Sequence, residues 1–207
     1  MTRLGRPTGR RPAFSRQDVV DAALEIGVNA FTLTAVAQRL GVAPSALYRT
    51  IDSREGLMRA CLAELATRLR FQPDPVSWRR NAHNQADALW TLLESAHGLD
   101  QLLLTVPWSA EYFAGTVTAA HDAFVASGMS PQDAALAVDA ISDTVISAHI
   151  SVAALRSSWN GDPAAPAGFA RLPAVFEPDA SWLERGWLDR KIELILDGLQ
   201  ARRTPRP

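Results

Sequence analysis

Residues 32–51, TLTAVAQRLGVAPSALYRTI, read as two short helices joined by a glycine turn. Leu33, Val36, Ala37 and Leu40 recur at helical spacing and give the first helix one apolar side. Gly41 supplies the left-handed residue that ends that helix, a conformation that costs a residue with a Cβ about 1 kcal/mol or more. Pro44 fits the first turn of the second helix, where its fixed φ is an advantage and its missing N–H is not needed. Leu47 and Ile51, four apart, bury the inner side of that helix. Pro44, Ser45, Ala46, Tyr48, Arg49 and Thr50 then point outward, a compact set of hydroxyls, one aromatic ring and one guanidinium. Such a set suits a helix that enters the major groove of DNA.

The 207 residues carry a net charge of −1, with 47% hydrophobic and 21% charged side chains, an ordinary globular composition. That near-neutral total hides an asymmetry. Residues 1–70 hold 11 Arg and no Lys against 6 acidic residues, whereas residues 71–207 hold 10 basic against 16 acidic ones. A basic first third ahead of an acidic remainder fits a DNA-binding module joined to a body that avoids DNA. No uninterrupted apolar run approaches the ~18 residues of a membrane span, and no signal-peptide pattern opens the chain. A cytoplasmic protein is expected. The single cysteine, Cys61, falls on the stripe Leu57, Cys61, Leu65 and Leu69, which predicts a small core residue rather than a reactive thiol.

Along the chain, residues 1–14 form a disordered basic arm. A first helix starts at Ser15 with a capping box completed by Asp18, and Gly27 closes it. After the helix-turn-helix at 32–51, a connecting helix runs to about Arg70. Pro73 and Pro75 mark a joint between a DNA-binding unit, 15–70, and a helical body, 71–207. In the body, helices are expected over 76–97, about 99–105, and from Pro107 to Gly128 with Phe113, Val117, Ala120 and Phe124 as its stripe. Ser130-Pro131-Gln132-Asp133 opens a long helix to about 156. Residues 157–180 hold four prolines and two glycines and predict a long loop, after which Ser181 and Glu184 cap a last helix over 182–202. Strand patterns are absent, so the expected fold is all-α.

These motifs give the first 70 residues a clear resemblance to the TetR family of transcriptional regulators. The residues that carry it are Thr32-Leu33-Thr34, Val36-Ala37, Leu40-Gly41-Val42, Ala46-Leu47-Tyr48 and Ser53-Arg54-Glu55-Gly56-Leu57. The family usually has Lys where this chain has Arg54, and often His or an aromatic residue near Thr50. Beyond residue 70 the likeness rests on helix layout and on Asp74-Pro75 with Trp78-Arg79, which resemble the start of a tetracycline-repressor-type C-terminal domain. The resemblance implies a homodimer that binds a palindromic double-stranded DNA operator as a repressor and lets go when a small molecule occupies its body. The long helices at about 131–156 and 182–202 are the expected dimer surface.

Expected DNA contacts are Thr32, Thr34, Ala43, Pro44, Ser45, Ala46, Tyr48, Arg49, Thr50 and Arg54. Arg6 of the arm joins them, in a Gly-Arg-Pro setting that suits a narrow minor groove, a solvated tail being the alternative. Arg49 is the one long donor on the recognition helix, able to reach a guanine edge or a phosphate. In the body, Trp90, Leu103, Trp108, Tyr112, Phe113 and Phe124 are candidate linings of a site for a hydrophobic or aromatic effector, with Asp143 and His149 as polar anchors. His83, His97, His121 and His149 show no ligand-like spacing, so no metal and no cofactor is expected. An activator, or a regulator released by a protein partner, is the alternative reading. No nucleophile paired with a base, phosphate loop or metal cluster is present in the pattern, which argues against an enzyme.

Overall fold

The computed structural model of the chain describes residues 14–159, 173–176 and 179–203, and all regular structure among them is helical. The basic arm with Arg6, and residues 160–172 of the Pro-rich stretch, lie outside the described residues.

Helix α1, Arg16–Ile26, begins with the expected capping box. The Ser15 hydroxyl accepts from the Asp18 N–H, and the Asp18 carboxylate accepts from the Ser15 N–H. Those hydrogen bonds, the backbone one foremost, hold the Asp18 carboxyl below its usual range. Helices α2 (Leu33–Arg39) and α3 (Pro44–Leu47) follow, and Gly41 between them has φ +68°. Val19, Ala23, Phe31, Val36, Ala37, Leu47 and Leu57 have no exposed surface and weld the first three helices to α4, Arg54–Arg68. Complete burial of a side chain such as Leu47 is worth about 1.5–3 kcal/mol. Cys61 is fully buried on α4, and burial pushes its thiol up to about 12.

At the Pro73/Pro75 joint the backbone groups are satisfied by side chains. Asp74 accepts from the N–H groups of Val76 and Ser77, and Asn81, fully buried, bonds both the N–H and the carbonyl of Asp74. Helix α5, Trp78–Ser95, leads to α6, Leu99–Thr105. Pro107 opens a 3₁₀ turn, Pro107–Phe113, rather than the expected α-helix, and α7, Ala114–Ala126, continues from it.

Helix α8, Pro131–Trp159, is the centre of the body and packs against α5, α6, α7 and α9. Its start is the expected one, with Ser130 Oγ and Asp133 bonded reciprocally. It runs three residues beyond the expected end. By length and composition it is long and apolar enough to cross a membrane, yet Ala134, Ala137, Ile141 and Val145 bury one side of it in the protein core.

The last helix corrects the sequence reading. Ser181 and Glu184 do not cap it. Asp179 caps a separate 3₁₀ turn, Ala180–Leu183, and α9 runs from Leu188 to Arg203. Gly186, with φ +57°, takes a left-handed conformation that no continuous helix from 182 can contain.

Candidate DNA-reading face and ligand cavity

The exposed side of the helix-turn-helix is built by default. Leu47 and Ile51 turn inward, which leaves Ala43, Pro44, Ser45, Tyr48 and Arg49 facing water, with Tyr48 59% exposed. Helix α3 is a single turn, continued by a bonded turn over 48–50 in which the N–H groups of Thr50 and Ile51 both reach Leu47 O.

The arginines sort themselves by partner. Arg39 is held by Glu25, Nε to Oε2 at 2.7 Å. Arg54 donates from Nε to Phe31 O (3.0 Å) and from Nη2 to Asn29 O (3.1 Å), with its guanidinium against the Phe31 ring. It straps the start of α4 to the α1–α2 loop while staying exposed, so this expected DNA contact has a structural duty too. The side chain of Arg49 makes no ion pair or hydrogen bond among the described residues and stands beside Tyr48. Two further expected contacts have local duties as well. Thr32 Oγ1 caps α2 by accepting from Ala35 N–H, and Thr50 Oγ1 donates to Leu47 O. Thr34 and Ala46 remain on the face, exposed and half-buried respectively.

In the body, a cavity of about 530 Å³ opens between α5, α6, α7 and α8. Of the expected lining residues, Leu103, Phe113 and Asp143 are there. The others are elsewhere, each for a visible reason. Phe124 is fully buried core. Trp90 is buried edge-on against the His149 ring (5.1 Å) and beneath Arg185. His149 binds Asp100 Oδ2 at 2.8 Å, with Glu94 at 3.4 Å, so its polar capacity is spent inside the protein. Trp108 and Tyr112 lie on the far side of the 3₁₀ turn, where Arg59 of α4 covers the Trp108 ring at 4.0 Å. Hydrogen bonds to Glu55 and then Tyr112 raise the Arg59 pKa.

The cavity also contains residues the sequence reading passed over. Leu69, Leu89 and Ile146 supply apolar wall, and Val117, expected in the core, stands 47% exposed at its edge. Gln85 and Ser142 are the informative omissions. Gln85 is spaced three and four residues from Ala82 and Leu89 on the inner face of α5, and Ser142 is four from Val138 on α8. A polar side chain at a core register was the available signal.

A structural link joins the cavity to the helix-turn-helix unit. The 3₁₀ turn presents Ala110 and Phe113 to the cavity and Trp108 and Tyr112 toward α4. Helix α6 does likewise. Leu103 and Leu104 line the cavity, while Gln101 near its start accepts from Asn29 Nδ2 at 2.8 Å and His97 O accepts from Val28 N–H.

An exposed helix-turn-helix with one uncommitted arginine, fused to an all-α body with a cavity, is the layout of a DNA-binding regulator of transcription. No protein-family profile matches the chain. It is 28% identical over 160 residues to the tetracycline repressor class D of Escherichia coli, covering 73% of this chain and 72% of that protein. The class H repressor of Photobacterium damsela subsp. piscicida is matched to the same extent. Among solved structures, BioQ of Mycobacterium smegmatis, also crystallised with its double-stranded DNA operator, superposes with a TM-score of 0.66 at 22% identity, over 91% of this chain and 98% of that one. The TetR-family protein ActR of Streptomyces coelicolor, in complex with (S)-DNPA, gives 0.63 at 20% identity over 93% and 100%. By sequence the chain is similar to tetracycline repressors, and it shares the all-α fold of BioQ and of the TetR-family protein ActR.

Proposed function

We propose that this regulator is a repressor that binds a palindromic operator as a homodimer, acts in the cytoplasm, and is released by a hydrophobic or aromatic small molecule held in the cavity. Residues 15–70 would serve as the reading unit and 71–207 as the sensing and pairing unit. The observation that carries the reading is the shared 3₁₀ turn, whose one side lines the cavity while the other clasps α4. BioQ with its operator and ActR with its ligand supply the precedent.

The groove contacts assigned are Thr34, Pro44, Ser45, Tyr48 and Arg49. A bidentate arginine–guanine contact is worth about 1–3 kcal/mol of discrimination. One turn of helix touches too few bases alone, so two copies act together, with recognition helices about 34–36 Å apart. Helices α8 and α9 favour the pairing. Only 39% of the most apolar stretch of α8 is buried inside one chain, and Leu136 and Leu194 stand 46% and 74% exposed. A second copy would cover that surface as a four-helix bundle. Ligand in the cavity displaces the 3₁₀ turn and α6, α4 follows, and the two reading heads lose their common spacing. A compound that prefers the released state by about 10³–10⁴-fold switches occupancy nearly completely.

The test is selection of bound duplexes from a random pool, followed by anisotropy titration and sedimentation. The reading expects an enriched inverted repeat bound by two chains, with affinity falling steeply as salt rises. No enrichment, or binding by a single chain to an asymmetric site, overturns it.

A further inference from the structure

The polar complement of the cavity is one-sided. Among the described residues, no Lys or Arg lines it. Its one imidazole, His121, faces two acceptors, Asp122 at 3.0 Å from Nδ1 and the carbonyl of Pro131 at 3.3 Å from Nε2. Ser142 Oγ is likewise used, donating to Val138 O and accepting from Gln85 Nε2. What remains is the hydroxyls of Thr116 and Thr118, which can donate or accept, and groups that only accept.

Gln85 is 8% exposed, and its Nε2 donates to Val138 O at 2.9 Å. A carbonyl can only accept, so the amide cannot be flipped, and Oε1 is left buried without a hydrogen-bond partner among the described residues. An unmet buried acceptor costs about 1–3 kcal/mol, which a donor on a ligand would recover. On α8, Asp139 and Asp143 line the same cavity at i, i+4; both are exposed, and neither forms an ion pair among the described residues. Two unpaired carboxylates one helical turn apart repel each other and, though screened by water, favour a cation at the cavity.

From this juxtaposition we infer that the effector is an amphipathic cation: an apolar body of one or a few rings carrying a protonated amine. The amine N–H meets Gln85 Oε1, and its charge is balanced by Asp139 and Asp143. The rings lie against Leu89, Leu103, Phe113 and Ile146. This inference rests on the cavity being the effector site, and it adds the sign of charge that the site selects.

Three probes of nearly one shape test it: 1-naphthylmethylamine, 1-naphthalenemethanol and 1-naphthoate, each titrated into the full-length protein by calorimetry. The amine is expected to bind about tenfold tighter than the alcohol, with the carboxylate weakest. In the Asp139→Asn/Asp143→Asn protein the amine should lose that margin while the alcohol keeps its affinity. That second arm separates charge selection from a general loss of folding. Alcohol or carboxylate binding as tightly as the amine overturns the inference and leaves the cavity as effector site. Binding by none of the three overturns it too. The cavity itself is then judged with Leu103→Trp, which fills it: displacement of the DNA-bound state by that substitution keeps the cavity reading, and an unchanged operator affinity removes it.

Discussion

The guanidinium of Arg59, on the helix that leaves the DNA-reading unit, lies 4.0 Å from the centre of the Trp108 ring on the 3₁₀ turn of the body. Glu55 holds the same guanidinium from the other side, Nε and Nη2 both donating to Oε1 at 3.0 and 2.8 Å. The tryptophan that seemed suited to a ligand is the piece that carries the cavity wall to α4.

A double-mutant cycle on this pair gives its strength. Arg59→Ala and Trp108→Ala are each expected to lower stability, and their coupling in urea titrations should be about 0.5–1 kcal/mol, as for a partly exposed cation on an aromatic face. Strict additivity would show that the contact transmits nothing.

Gly41 isolates a backbone effect. Nothing lies within 4 Å of where its Cβ would be, so Gly41→Ala meets no clash and suffers only the cost of φ +68°. About 1 kcal/mol is expected, together with a lower melting temperature. Gly98→Ala should cost more, since its Cβ would fall 1.8 Å from Asn29 Oδ1 and break the seat of the α1–α2 loop on α6. Equal losses in the two variants would contradict this ordering.

The thiol of Cys61 is expected to be silent. With its pKa near 12 and no exposed surface, it should resist a disulfide reagent at pH 8 in the native protein and react fully in guanidinium. Rapid modification of the folded protein would place α4 differently.

Acid sensitivity has a defined sign. Asp18, Asp74 and Asp179 all have carboxyls held below their ordinary range of about 3.8, by Ser15, by the N–H groups of Ser77 and Val76, and by Ser181. A lowered folded-state pKa contributes stability that is present above the unfolded value and lost as pH falls through the folded one. From these groups, stability is therefore level from about pH 5 upward and declines below about pH 4. Asp74→Asn keeps an acceptor for the two N–H groups but removes the titration, so its melting temperature should fall less steeply below pH 4 than that of the parent. A parallel acid profile would remove Asp74 from that role.

The DNA-reading half was legible in the sequence because its signals are local. Gly41, Pro44 and the Ser15/Asp18 box each specify a conformation within four residues, and all three are realised. The cavity was less legible because its signals are tertiary. Periodicity separates an inner from an outer side of a helix, but it does not say whether an inner side chain meets core or an opening. Phe124 and Phe113 both sit on the inner side of their segments, and only Phe113 meets the cavity. Arg54 shows the same limit at the helix-turn-helix unit, where an exposed arginine is tied down by two carbonyls brought from 23 and 25 residues away, a duty its local sequence does not announce.

The central claim is that the face bearing Tyr48 and Arg49 reads DNA. Its most direct test is anisotropy of a selected operator duplex with Tyr48→Ala/Arg49→Ala beside the parent, at two salt concentrations. Both side chains are exposed and free of core contacts, so the variant should melt at the parent's temperature. It should bind the operator at least about tenfold more weakly, with its preference over random duplex reduced. An equally stable variant that retains the parent's affinity and preference would contradict the account.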